Sequence, residues 1–231
     1  MFSNFKKIIF LIKSQASFLI IFIFIINKFQ NIFVKKQIKK EKKNNIEYLK
    51  KKRITHDYFS QNAYNFFKII KKFDYFNYLE IGAFEGNSAM FIARNFQKSK
   101  IYCVDNWVGT EEYNNLIFSE VENNFDFNSN EFKNLKKIKD LSDNFFEKNQ
   151  LKFDVIYIDG YHKAFQVIKD FKNSWEILNK NGVLIFDDYI WQFYSHITDN
   201  PCYIINSYLK EIKNKYKIIK VSNSQLFIEK L

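Results

Sequence analysis

The chain has 231 residues, enough for one α/β domain and a short extension. Its formal net charge of +11 sits at one end: residues 1–53 hold fourteen Lys or Arg and two Glu, whereas residues 54–231 hold 22 basic and 23 acidic residues. A nucleic-acid enzyme spreads basic residues around its cleft, which argues against that class, and two cysteines, Cys103 and Cys202, supply neither a disulfide framework nor a zinc spacing.

In chain order, Phe5-Lys6-Lys7 leads into Ile8–Ile12, then Lys13, a polar Ser14-Gln15 and the run Phe18–Ile26. The second run alone is too short for ~30 Å of hydrocarbon; Ile8 to Ile26 is long enough, but Lys13 interrupts it. No small-residue cleavage site follows, which argues against a removed signal peptide. Lys35 to Arg53 is densely basic. Such a segment reads as a membrane attachment whose C-terminal side is cytoplasmic. Spanning, interfacial placement and a helix packed on the domain all stay open. The expected division is 1–53 as attachment segment and basic linker, and 54–231 as a cytoplasmic domain at the inner face of the membrane.

Asn65–Ile70 has apolar residues at helical spacing. A strand through Tyr78–Ile81 then runs into Gly82-Ala83-Phe84-Glu85-Gly86 and a helix from Asn87. Further strands are expected at Lys100–Asp105, Leu135–Lys139, Phe153–Asp159 and Val183–Asp187. A helix follows His162, another covers Tyr203–Lys215, and two last strands lie near Lys217–Val221 and Gln225–Glu229. Strands alternating with helices specify a mostly parallel sheet covered on both faces. A Ser-Asn-Ser turn makes the last pair antiparallel.

Two of five glycines stand at 82 and 86, which marks a ligand loop, although an ordinary strand-to-helix turn fits as well. The spacing is E-x-G-x-x-x-G rather than the dinucleotide G-x-G-x-x-G, so a nicotinamide oxidoreductase is disfavoured. Glu80 sets an anion beside the loop and suits a ligand carrying an amino group and a sulfonium. Glu80, Asp105, Asp159 and Asp187 all fall at or near strand ends, where open α/β sheets bind ligands. Asp105, about twenty residues past the loop, is placed for ribose hydroxyls. Trp107 is either a base-stacking ring or core, and Ser142 either meets an adenine edge or caps the following helix.

Glu80-x-Gly82-x-x-x-Gly86, Asp105-Asn-Trp107-x-Gly109, Asp159-Gly160-x-His162 and Phe186-Asp187-Asp188-Tyr189 together resemble the class I S-adenosylmethionine-dependent methyltransferases. The resemblance runs from about Ile54 to the C-terminus, closest to a bacterial small-molecule O-methyltransferase-like branch. It implies a Rossmann-like seven-stranded sheet with an antiparallel last strand. It also implies S-adenosylmethionine held by Glu80, Gly82 and Gly86 at the methionine part and by Asp105 at the ribose, with Trp107 and Ser142 near the base. Related metal-dependent enzymes bind Mg²⁺ through acids here matched by Asp159, Asp187 and Asp188; hard oxygen ligands suit that ion. His162 is the alternative general base, beside Asp159. The acceptor pocket is expected from His162, Asp187, Tyr189, Trp191 and the lead-in near Tyr58, with a small-molecule or glycan hydroxyl as acceptor. A cofactor-binding but inactive membrane-tethered module and a nucleic-acid methyltransferase are the competing readings. His56 and His196 read as structural or surface residues.

Overall fold

The computed structural model describes residues 2–113 and 116–231. Three helices open it, α1 (Phe2–Lys13), α2 (Phe18–Phe33) and α3 (Lys35–Leu49), followed by α4 (Ala63–Ile70). Strand and helix then alternate: β1 (Asn77–Ile81), α5 (Asn87–Asn95), β2 (Lys100–Asp105), α6 (Phe118–Ser129), β3 (Leu135–Lys139), α7 (Ser142–Lys148), β4 (Phe153–Ile158), α8 (Ala164–Ile177) and β5 (Leu178–Phe186). The chain ends with α9 (Pro201–Glu211), β6 (Tyr216–Val221) and β7 (Leu226–Lys230). The sheet has seven strands in the order β3-β2-β1-β4-β5-β7-β6. β7 runs antiparallel to both β5 and β6, and the other pairings are parallel. This is the expected α/β architecture. Helix α6 went unread because its buried Val121 and Phe125 lie among polar residues.

Period-2 alternation builds a core on each face. Leu79, Ile81, Ile156, Ile158, Leu184 and Phe186 face α8 and α9 in one cluster. Tyr78, Val155, Tyr157, Val183 and Ile185 face α4, α5 and α6 in the other. Register sets the edge above them. Ile81 pairs with Val104 and Ile158, and Ile158 with Phe186. The next rung continues the ladder: Gly82 N–H donates to the Val104 carbonyl, Asp159 N–H to Ile81 and Asp187 N–H to Ile158. Asp105, Gly82, Asp159 and Asp187 therefore stand side by side at the carboxyl edge. Glu80 lies one residue below, on the α4/α5 face with Tyr78.

Residues 1–53 pack on this domain. Phe10 and Leu11 of α1 and Ile20 and Phe24 of α2 are buried in the first cluster. The buried Asn27 amide donates to the Val221 carbonyl at 3.2 Å. On the other side α3 contributes Asn45, whose amide donates to Ser60 (2.8 Å) and Asn87 (3.0 Å) while its carbonyl accepts from Arg94 (2.6 Å). No single helix among the described residues is long and apolar enough to cross a membrane; α2 and α3 meet that length and composition only as a pair bent by 81°.

Because the Phe24 ring is fully buried, Phe24→Ala removes apolar contact and leaves a cavity, which costs about 3–5 kcal/mol. Thermal denaturation of the full chain should show a clearly lowered midpoint. An unchanged midpoint would mean that α2 does not pack on the sheet.

Candidate active site

Gly82 is the centre of the site. Its φ is +85°, and a Cβ there would stand 2.1 Å from the Asp159 carbonyl oxygen. Only glycine fits this crossing of the β1 and β4 loops. Asp105 fixes the same loop from the other side: one carboxylate oxygen accepts the Ala83 and Phe84 amides (2.9 and 3.0 Å) and the other the Trp107 amide (2.8 Å). Burial pushes the Asp105 pKa up, and those amides hold it back.

Two cavities meet at Gly82, Phe84, Glu112, Tyr113 and Asp159. The first, about 250 Å³, is lined by Val104, Asp105, Leu141, Ser142 and Gly160 among others. It has a carboxylate, apolar walls and the start of α7, as a nucleoside needs. The second, about 360 Å³, is lined by Tyr58, Ser88, Tyr157, His162, Asp188 and Trp191 among others.

Charge concentrates where they join. The buried imidazole of His162 donates from Nδ1 to Glu112 Oε2 at 3.2 Å, and Glu112 Oε1 accepts from the His162 amide (3.1 Å) and the Tyr194 hydroxyl (2.8 Å). Its Nε2 is 3.5 Å from Asp159 and 3.7 Å from Asp188. That buried atom has no close hydrogen-bond partner. Burial works to lower the His162 pKa, but the contacts with Asp159 and Glu112 outweigh it, and the pKa rises well above the usual value. Burial and the Asp187 charge push Asp159 up to about 6; burial and the Asp188 charge push Asp187 up to about 6.

Ligating atoms of Asp159, His162 and Asp188 lie within 4.8 Å of one another. Two carboxylates and an unsatisfied imidazole nitrogen fit a divalent cation. Asp187, expected in that set, is engaged elsewhere: one oxygen accepts from the Tyr157 hydroxyl and the Gln225 amide, the other from the Asp188 amide. His162 takes its place.

Other expectations also change. Glu80 lines neither cavity. It is buried, accepting from the Ser88 and Tyr78 hydroxyls. Burial raises its pKa to about 8 against those two bonds, so the carboxyl is neutral near pH 7 rather than the expected anion. Gly86, at φ +84°, faces the Phe125 ring, 3.1 Å from where a Cβ would be. The Trp107 indole is core, 4.9 Å from the Phe125 ring, with its N–H donated to the Phe84 carbonyl. It lines neither cavity, which removes it as the base-stacking ring. Ser142 opens α7 and lines the first cavity, its hydroxyl accepting from Gln166 at 3.1 Å. Tyr189 is core, and its hydroxyl donates to Asn206. His56, read as surface, lines the second cavity. Glu112 was missed because its partners are 50 and 82 residues away, beyond any local pattern.

A family model described as a methyltransferase domain matches residues 79–189, the span from β1 to the residue after Asp188. Over those 111 of the 231 residues the chain is similar to methyltransferase domains. The chain is 27% identical over 152 residues to an uncharacterised protein of Acanthamoeba polyphaga mimivirus, covering 62% of this chain and 68% of that one. Solved structures share the fold. A candidate caffeoyl-CoA O-methyltransferase from Staphylococcus aureus matches with a TM-score of 0.58 at 16% identity, over 88% of this chain and 98% of that one. An O-methyltransferase from Bacillus cereus in complex with SAH matches with 0.56 at 13% identity, over 92% and 99%. A candidate rRNA methylase from Clostridium thermocellum matches with 0.56 at 14%, over 78% and 100%.

The raised Glu80 pKa makes stability depend on pH. The neutral carboxyl stabilises the fold fully below the ordinary value of 4.5, and that contribution is lost as pH rises through about 8. Wild-type melting temperature should fall between pH 5 and 8 more steeply than that of Glu80→Gln, which keeps a neutral group. Parallel curves for the two proteins would show that Glu80 is ionised in the native state.

Proposed function

We propose that this chain transfers a methyl group from S-adenosylmethionine to a hydroxyl oxygen of a small molecule or of a glycan, making it an O-methyltransferase. The observation that carries the reading is the junction of the two cavities, where His162, Asp159 and Asp188 converge beside Gly82. The adenosine occupies the first cavity, with its ribose on Asp105, and the methionine part passes over Gly82 into the second. The sulfonium then stands among acids, with His162 as the nearest cation.

In the transfer, an acceptor oxygen forms a bond to the methyl carbon as the carbon–sulfur bond breaks, and the electron pair stays on sulfur. The hydroxyl proton goes to the Asp159 carboxylate, which the His162 imidazolium faces at 3.5 Å. Glu112 holds Nδ1–H, so that Nε2 points at the reacting centre. Tyr58 and Trp191 wall the acceptor side and exclude water, leaving alignment as the protein's main contribution. The carboxylates of Asp159 and Asp188 would also hold a divalent ion through oxygen, the donor that Mg²⁺ prefers, which lowers the pKa of a bound hydroxyl. The charge balance of residues 54–231 speaks against a nucleic-acid acceptor. The full set of acids at the junction speaks against an inactive module.

Two substitutions divide these roles. Asp105→Asn should weaken S-adenosylmethionine binding about tenfold or more, since hydrogen bonds to a charged group are worth roughly 1.5–3 kcal/mol each. Isothermal calorimetry measures this, and unchanged affinity would remove Asp105 from the cofactor site. His162→Ala should leave cofactor affinity in place and slow methylation on the order of a hundredfold or more. The readout is mass-spectrometric detection of methylated products from a panel of phenols, sugars and glycolipids. Wild-type protein that binds S-adenosylmethionine and methylates none of these hydroxyls, but does methylate RNA, would overturn the proposal.

A further inference from the structure

The first two helices each have one face on the domain and another uncovered. In α2 the buried Ile20, Phe24 and Asn27 oppose Phe18, Phe22, Ile25, Phe29 and Ile32, which recur every three or four residues and are 37 to 81% exposed. In α1, Phe5, Ile9 and Ile12 form a matching stripe opposite Phe10 and Leu11. A typical monomer's largest apolar patch is roughly 300–600 Å², and these eight large side chains exceed a patch of single exposed residues. Cations border it: Lys6, Lys13 and Lys28 on the two helices, then six lysines from Lys35 to Lys43. None of those six makes an ion pair among the described residues.

We propose that the α1–α2 face docks on an anionic lipid bilayer, lying in its interface rather than crossing it. An apolar stripe edged by lysines is the composition of an interfacial helix, whose apolar side enters the headgroup–acyl boundary while its cations meet anionic lipid. A crossing is excluded for either helix alone by length, and the opposite face of each is committed to the sheet. A second copy fits worse. A two-fold interface sets the same surface against itself, which would oppose two segments of fourteen cations and two acids each.

The docked face is next to the acceptor cavity. Lys7 donates to the Asn223 carbonyl at 2.6 Å and Lys28 to the Asn223 side chain, in the turn between β6 and β7. The following residue, Ser224, lines that cavity, and its carbonyl accepts the Ile190 amide. Granted the methyl-transfer reading, the acceptor is an amphiphilic hydroxyl compound presented at the lipid–water boundary.

The test is co-sedimentation of the full chain with phosphatidylcholine vesicles, with and without phosphatidylglycerol, at low and high salt. Calorimetry with S-adenosylmethionine runs alongside. Binding should favour the anionic vesicles and weaken as salt rises. A variant carrying Phe18→Glu, Phe22→Glu and Phe29→Glu, all outside the site, should lose about tenfold or more of that binding with unchanged cofactor affinity. Wild-type protein left in the supernatant with both vesicle types would overturn the proposal, as would a variant that sediments like wild type. So would a dimeric wild type that binds no vesicles and becomes monomeric in the variant, since a second copy would then cover the face. Cofactor binding retained in any of these failures leaves the methyl-transfer reading standing. Vesicle binding without cofactor binding would sink that reading alone.

Discussion

The site depends on a missing side chain. Where Gly82 would carry a Cβ, the Asp159 carbonyl stands 2.1 Å away, so the loops after β1 and β4 touch backbone to backbone. That contact extends the parallel ladder one rung past the strands and places Asp105 and Asp159 on either side of the glycine, with Asp187 next in line. The opening between two cavities lies directly above this rung. A larger residue would part the loops and separate the groups that must converge on one ligand.

A rim of acids at this density is costly unless each is compensated. The structure does so differently at each position. Asp105 is neutralised by three loop amides, which rigidify the cofactor turn as they do it. Asp187 is held by Tyr157, Gln225 and the Asp188 amide. Glu80 stays protonated under the apolar layer. Asp159, Asp188 and Glu112 are left sharing His162, one cation among three carboxylates. The remaining negative charge lies where the two cavities meet. Compensation is thus complete away from that junction and incomplete at it.

Most of the fold was legible because the strands carry strong signals. Val155–Ile158 and Val183–Phe186 are unbroken apolar runs ending in acids, and the parallel sheet followed from their alternation with helices. Asp105, Asp159 and His162 were legible for the same reason, as polar residues at apolar strand ends. Glu80 shows the limit of that rule. One residue of register turns a rim carboxylate into a buried one, and sequence cannot tell whether a strand ends at residue 80 or 81. For Trp107 the sequence left stacking and core readings open, and the Phe125 ring of α6, which packs on both Trp107 and Gly86, decides for core. Glu112 comes from a loop without regular structure, and only the folded chain brings it to His162.

Charge and packing divide this chain at different places. The basic balance ends at Arg53, but contacts do not. Arg53 N–H donates to Asn128 of α6, and the Thr55 amide and hydroxyl donate to Glu85 in the glycine loop (2.7 and 2.9 Å). Asp57 accepts from Asn87 at the start of α5. The lead-in from α3 is therefore bonded to the glycine loop, while Tyr58 and His56 on it line the second cavity. The extension also closes the far side through Lys7 and Lys28 on the turn before Ser224. The extension is therefore bonded to the carboxyl edge on two sides, and the helices that carry Lys7 and Lys28 are the same ones that present the uncovered apolar face.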